Sequence, residues 1–359
     1  MARKKKTRAA GPGRGPSRGK GGSKATKTKR GTLPASTSAS RRKHTARPTR
    51  RPPRAEGRGR ARARAVKAPL FRRVAFIGLG LIGSSLARFL KREGLAQTIV
   101  GHARTAATMA KSLELGFIDR VAATPEDAVR GADLVVVATP VGACGAIAQA
   151  IGPHLAPGAI VTDVGSVKAA VVRDMGPHIP GGVHFVPAHP VAGTEHSGPE
   201  AGFADLFRGR WCILTPPAGT DETAVKKLAE MWRLTGSHVD VMDPAHHDKV
   251  LAITSHLPHL IAYCIVGTAT DLEEHLKGEV VKFAAGGFRD FTRIAASDPI
   301  MWRDIFLTNR DALLEMAGRL AEDLAALQRM IRWGEGEKIE EILRRARGIR
   351  RSIIEAGQA

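Results

Sequence analysis

Apolar positions form no pattern in the first 70 residues and become dense and periodic from Phe71 onward. RRVAFIG (72–78) is a short apolar run, and the stretch behind it to Gly94 carries apolar residues at three- and four-residue spacing. That sequence predicts a strand, a glycine turn and an amphipathic helix. TIVGHAR (98–104) predicts a second strand, and TAATMAKSLELG (105–116) a helix closed by Gly116, where a left-handed cap suits glycine. ADLVVVATP (132–140) and GAIVTDVG (158–165) are near-continuous apolar runs, as expected of strands covered on both faces. VHFVPAHP (183–190) and RWCILTP (210–216) predict two more strands, and a helix around Glu222–Leu234 precedes a last one at SHVDVM (237–242). Strands alternating with helices predict a doubly wound parallel α/β sheet of Rossmann type over residues 71–242.

After Asp243 the strand signal stops. Residues 244–275, 278–287, 299–332 and 335–356 read as helices, the last two with apolar positions at helical spacing: Ile305, Leu313, Met316, Leu320, Leu324 and Leu327, then Ile339, Ile342, Leu343, Ile349 and Ile353. An all-helical domain over 243–357 is expected. Helices so long in so short a domain leave an apolar face for a second copy of the chain, so a homodimer is expected; packing within one chain is the alternative.

Charge changes the picture only at the N-terminus. The formal charge is +22, yet residues 1–70 hold 24 Lys and Arg against the single acid Glu56, which leaves the remainder close to neutral. This segment has no Phe, Tyr or Trp and is rich in Gly, Pro, Ala and Ser. It cannot bury enough apolar surface to offset its chain entropy, so disorder is expected. Three readings stay open for it: a solvated tail without a partner, loose electrostatic contact with nucleic acid or another anionic surface, or a translation start downstream of Met1–Leu70. Without stacking aromatics or zinc-finger spacing, sequence-specific recognition is not expected.

No uninterrupted run approaches the roughly 18 apolar residues of a membrane span. The basic N-terminus lacks the apolar core of a secretory signal, and its Gly and Pro disfavour an amphipathic transit helix. Cys144, Cys212 and Cys264 are odd in number and widely spaced, which suggests reduced, packed thiols. Cytoplasmic location without membrane association is the expectation.

Gly78, Gly80 and Gly83 form G-x-G-x-x-G between the first strand and its helix, with Leu81 and Ile82 inside the turn. The first glycine permits a tight turn, the second close approach of a pyrophosphate, the third close packing of helix on strand. The helix N-terminus adds free N–H groups and a partial positive charge. An NAD or NADP site is therefore expected. At the end of the second strand, His102, Arg104 and Thr105 stand where NAD binders commonly place an acid, which favours NADP; Arg104 stacked on adenine, with either cofactor bound, is the alternative.

Chemistry gathers beyond the ends of later strands. DVGSVK (163–168) supplies Ser166, HPVAGTE (189–195) supplies His189 and Glu195, TSHLPH (254–259) supplies Ser255 and His259, and GFRDFTRIAASDPIMWRDI (287–305) supplies Arg293. Together with GLGLIGSSLA (78–87), these motifs in this order resemble the prephenate/arogenate dehydrogenase family over about residues 73–302. The resemblance implies a Rossmann domain followed by a helical dimerisation domain, and oxidative decarboxylation of prephenate to 4-hydroxyphenylpyruvate, or of arogenate to tyrosine. It assigns His189 to the C4 hydroxyl as proton acceptor, with Ser166 orienting the same neighbourhood. Arg293 would clamp a substrate carboxylate, Ser255, His259 and Glu195 would line the pocket, and Gly286, Asp290 and Trp302 would support the arginine. Prephenate is favoured over arogenate.

Plainer readings stand beside these. His189 could cap a turn, His259 could be a core histidine, and Arg293 could pair structurally with Asp290. Glu195 could attract a substrate ammonium or anchor Arg293. His246, His247, His256 and His259 superficially suggest a metal, but adjacent histidines face different sides of a helix and no matching ligand set accompanies them, so no metal is expected. The rival functions are a two-domain dehydrogenase using a catalytic lysine and a nucleic-acid-associated redox sensor.

Overall fold

The structure, a computed structural model, describes residues 68–271, 278–279 and 282–355. Expectations for the basic segment therefore fall, except at residues 68–70, outside the described residues. Its first unit is β1 (Phe71–Ile77), α1 (Leu81–Arg92) and β2 (Ala96–His102), followed by α2 (Ala106–Glu114), β3 (Arg120–Val121) and α3 (Pro125–Val129). Then come β4 (Leu134–Val137), α4 (Cys144–Ile151), β5 (Ile160–Asp163), α5 (Lys168–Met175) and β6 (His184–Phe185). These strands form a six-stranded sheet in the order β3-β2-β1-β4-β5-β6, parallel throughout.

Alternation along the strands sorts side chains to two cores. Val74, Phe76, Leu134 and Val136 enter one with Leu86 and Leu90 of α1. Ala75, Ile77, Val135, Val137 and Val161 enter the other with Ala148 and Ile151 of α4 and Val171 of α5. Both faces are covered, so the strands read as continuous apolar runs. Each large aliphatic or aromatic side chain so buried contributes about 1.5–3 kcal/mol relative to exposure.

VHFVPAHP is one strand by pattern and two in the fold. After β6 the chain leaves the main sheet, and β7 (Ala188–Pro190) pairs antiparallel with β8 (Trp211–Leu214), which pairs parallel with β9 (His238–Val241) beyond α6 (Glu222–Leu234). The last predicted strands thus build a separate three-stranded sheet. Apolar alternation sets strand character but not the partner, and Pro187, which has no N–H to donate, stands between the two segments.

In the C-terminal part, α7 (Pro244–Leu251) runs through a π-helical turn (Ala252–His256) into α8 (Leu257–Thr270). The stretch Pro244–Ala269 is long and apolar enough, by length and composition, to cross a membrane. It carries His247, Asp248 and His256 as buried polar groups, and Asp248 and His256 bond to groups elsewhere in the fold. Next come α9 (Gly286–Thr292), a 3-10 turn (Arg293–Ala296), α10 (Pro299–Thr308), α11 (Arg310–Trp333) and α12 (Gly336–Glu355). The helix predicted over 299–332 breaks at Asn309, whose buried amide donates to the backbone of Asp248 at 2.8 Å and faces His256 Nδ1 at 3.0 Å. Trp302 and Ile305 of α10 join the second core beside the sheet. Cys144 and Cys212 are packed thiols as expected, whereas Cys264 is exposed.

Leu314, Leu324, Ile331, Trp333, Leu343 and Ile349 leave apolar surface exposed along α11 and α12.

Gly83 meets the glycine turn more closely than any other residue type allows: an added Cβ would lie 2.4 Å from the Gly78 carbonyl oxygen. Gly83→Ala should therefore cost about 1–3 kcal/mol through overpacking, read as a lower Tm and urea midpoint. An unchanged midpoint would contradict this close approach.

Candidate active site

Strand register brings the carboxyl ends together. Ile77 pairs with His102 on one side and with Val137 on the other, and Val137 pairs with Asp163. The turns after β1, β2, β4 and β5 therefore share one edge, and between β1 and β4 the strand order reverses, where open α/β sheets bind ligands. Gly78 has φ +102, and its added Cβ would lie 2.2 Å from the Ala138 carbonyl oxygen. Gly80, in contrast, has no atom within 4 Å of such a Cβ. It is also the N-cap of α1, with no side-chain cap and no acid in the first turn. Two glycines are thus demanded by the protein itself, while the third leaves open space beside uncapped N–H groups. This cradle fits a dinucleotide pyrophosphate, with Leu81 and Ile82 half-buried beside it.

At the end of β2, His102 Nδ1 is 3.1 Å from the Ala122 carbonyl oxygen. The Thr105 hydroxyl caps α2, accepting from Thr108 N–H at 3.2 Å and donating to the Thr108 hydroxyl at 2.8 Å. Arg104 is exposed. Of the trio predicted for a 2′-phosphate, two are partly committed to the fold, and the guanidinium makes no hydrogen bond or ion pair among the described residues.

The second centre is built on a buried charge pair. Asp163 ends β5 and Lys168 opens α5; both side chains are fully buried and pair directly. Asp163 also accepts from Gly165 N–H at 2.7 Å and Ala188 N–H at 3.2 Å, while Lys168 Nζ donates to the Ala188 carbonyl at 2.8 Å. Two groups thereby fix the turn carrying Ser166 and the residue before His189. Ser166 itself is half-buried.

His189 is only 6% exposed. Its Nδ1 lies 2.8 Å from His247 Nε2, and His247 Nδ1 lies 2.8 Å from Asp248 Oδ1. Burial, then His247, Lys168 and His256, hold the His189 pKa well below the ordinary 6.5. Burial also lowers His247, against the opposing bond to Asp248. His256, buried beside the backbone of Ser166, is pushed down to about 4. All three rings are neutral at physiological pH.

The helical part closes the site. Ser255 lies half-buried on the π turn, a backbone irregularity common at functional sites. His259, one turn on, stacks on Trp302 at 3.6 Å between centroids, and its Nδ1 is 2.9 Å from the Ser255 carbonyl oxygen. Its pKa is lowered by burial, with Arg293 acting in the same direction. Arg293 pairs at 3.1 Å with Glu195, not with Asp290 as the plainer reading had it, and keeps 59% of its side chain exposed. Glu195 follows the His189 strand, so this pair bridges the two sequence regions. The repulsions that help lower these pKa values place His256 near both His189 and His259, and His259 near Arg293.

His247, Asp248 and Asn309 were missed. The adjacent His-Asp pair at 247–248 is the sign of them that the sequence carries. Their role depends on contacts with His189 and His256, 58 and 53 residues away in sequence.

Comparison with known proteins gives concordant results. Residues 86–241 match the family model described as prephenate dehydrogenase, nucleotide-binding domain, and residues 243–345 the prephenate dehydrogenase dimerization domain. The chain is 41% identical to a cyclohexadienyl dehydrogenase of Zymomonas mobilis over 76% of this chain and 92% of that protein. It is 36% identical to a prephenate dehydrogenase of Bacillus subtilis, over 76% of this chain and 72% of the other. Among solved structures, prephenate dehydrogenase from Aquifex aeolicus, in complex with hydroxyphenyl propionate and NAD+, superposes with TM-score 0.73 at 35% identity, covering 79% of this chain and 98% of that one.

The open face of Gly80 yields a selective test. Gly80→Ala should leave Tm unchanged in the free protein but weaken dinucleotide binding about tenfold or more, as measured by isothermal calorimetry. A lower Tm with unchanged affinity would show that this glycine serves packing alone.

Proposed function

The chain belongs to the prephenate dehydrogenase family, and we propose that it carries out the NAD(P)-dependent oxidative decarboxylation of prephenate to 4-hydroxyphenylpyruvate in tyrosine biosynthesis. The observation that carries this reading is His189, buried and neutral between the Ser166 turn and the helical wall. A nicotinamide dinucleotide held at the Gly78–Gly83 turn would supply the hydride acceptor. His189 takes the proton of the C4 hydroxyl as hydride leaves that carbon, and release of CO2 makes the ring aromatic. A neutral imidazole is the form able to accept that proton. Ser166 orients the alcohol or the nicotinamide amide at the same end of the sheet. Arg293 clamps a substrate carboxylate through parallel hydrogen bonds, and Ser255 and His259 line the wall opposite.

Glu195 supports prephenate over arogenate, because its carboxylate is engaged by Arg293 and is not free for a substrate ammonium. A cyclohexadienyl enzyme accepting both acids is the second reading, favoured by the Zymomonas relative. The exposed Arg104 and the lack of a carboxylate at the end of β2 support NADP over NAD. The apolar residues along α11 and α12 support a homodimer with the helical domain, from residue 243, as its interface. We place this soluble enzyme in the cytoplasm. No comparison supports a nucleic-acid partner.

Steady-state kinetics crossing prephenate and arogenate with NAD and NADP test the assignment. The highest kcat/KM is expected for prephenate with NADP, and no turnover with either acid would overturn it. His189→Asn should lower kcat by about 10²-fold or more, and Arg293→Gln should raise the substrate KM by about tenfold. Near-normal constants in these variants would refute the two roles.

A further inference from the structure

We propose that His247 and Asp248 form a positioning relay that holds His189 in the tautomer whose Nε2 is bare. The inference rests on His189 being the base and adds how its lone pair is kept on the nitrogen that must receive the proton. The direction of each hydrogen bond follows from the far end of the chain of groups. Asp248 Oδ1 accepts from the Lys168 N–H at 2.7 Å, and Oδ2 accepts from the Ala169 N–H at 2.9 Å. A carboxylate anchored through both oxygens at the start of α5 is an acceptor toward His247, so His247 Nδ1 carries the hydrogen across their 2.8 Å contact. A neutral imidazole has one N–H. His247 Nε2 is therefore bare and can only accept, and the hydrogen in its 2.8 Å contact with His189 belongs to His189 Nδ1. His189 Nε2 is left with its lone pair, and it makes no hydrogen bond among the described residues.

Geometry agrees with this assignment. The rings lie 5.1 Å apart between centroids at 66°, an edge approach that suits an in-plane N–H···N bond. Burial depresses the pKa of both imidazoles, so neither carries a second hydrogen to blur the direction. The backbone of the base is held separately, since Asp163 and Lys168 bind both polar groups of Ala188. The relay thus has one task, the placement of a hydrogen. Without it, His189 could present an N–H to the substrate alcohol, and a donor cannot remove a proton. The logic is that of a serine-protease triad, where an orienting acid fixes the tautomer of the base, extended here by a second imidazole. Asn309 steadies the far end by donating to the Asp248 carbonyl at 2.8 Å.

Imidazole ¹⁵N–¹H correlation spectra of the full chain, labelled at histidine, test this directly, with the His189 signals identified by their loss in His189→Asn. The wild type should show Nδ1 protonated and Nε2 bare; the opposite tautomer overturns the relay. His247→Leu removes the acceptor. It should mix or reverse the tautomer and lower kcat by about 10²-fold, while KM for substrate and cofactor stays within about twofold. His247→Gln supplies an amide oxygen to accept from Nδ1 and should restore the native tautomer, with kcat within about tenfold of wild type. Retention of tautomer and kcat in His247→Leu would refute the proposal. Normal turnover in His189→Asn would instead refute the base itself, whatever the spectra show.

Discussion

The site depends first on the buried pair of Asp163 and Lys168. It joins the end of β5, the start of α5 and the first residue of β7, so elements of two separate sheets share one anchor. Taking two charges out of water is costly, and such pairs are weak evidence for stability unless their remaining hydrogen-bonding capacity is used. Here it is used on backbone: Gly165 N–H and both polar groups of Ala188. What the pair secures is position. It fixes the turn bearing Ser166 and the strand bearing His189, and it places a cation behind the imidazole that further disfavours protonation.

The helical part completes the arrangement from the other side. Asp248 reaches the first N–H groups of α5, where the helix dipole favours an anion. This ties α7 to the sheet domain at the level of His189. The π turn after α7 then sets Ser255 and His259 along one wall, with Trp302 stacked beneath the second. Arg293 and Glu195 stand at the more exposed end. The outcome is a gradient from the dry His189 to the wet, charged pair of Arg293 and Glu195, which suits the proposed reading of an acid whose alcohol is desolvated while its carboxylates remain paired.

Much of this was legible in the sequence, for identifiable reasons. The glycine turn, β1, β4 and β5 could be read because strands covered on both faces leave unbroken apolar runs and glycine spacing is dictated by local sterics. Ser166, His189 and Arg293 lie in contiguous motifs, so their neighbourhood was legible as well. The division of residues 183–190 between two sheets was not, because it is set by which strands accept the hydrogen bonds. The break at Asn309 was hidden for a similar cause: its amide is held by groups on α7 and the π turn. The two-residue β3 and five-residue α3 carry too short a pattern to register. The pairing of His189 with His247 could not be read either, since spacing along the chain carries no sign of a contact that long, whereas anchoring of Arg293 by Glu195 was one of the readings open for that carboxylate.

The central claim is that a neutral, desolvated His189 is the proton acceptor. The pH dependence of kcat/KM tests it most directly, since that profile reports the essential base in the free enzyme. A base with a depressed pKa stays competent as pH falls through 6.5 and is lost only below it. The predicted result is a flat profile through pH 6.5 with an acid limb at lower pH. A limb centred at or above 6.5 that His189→Asn abolishes would contradict the account.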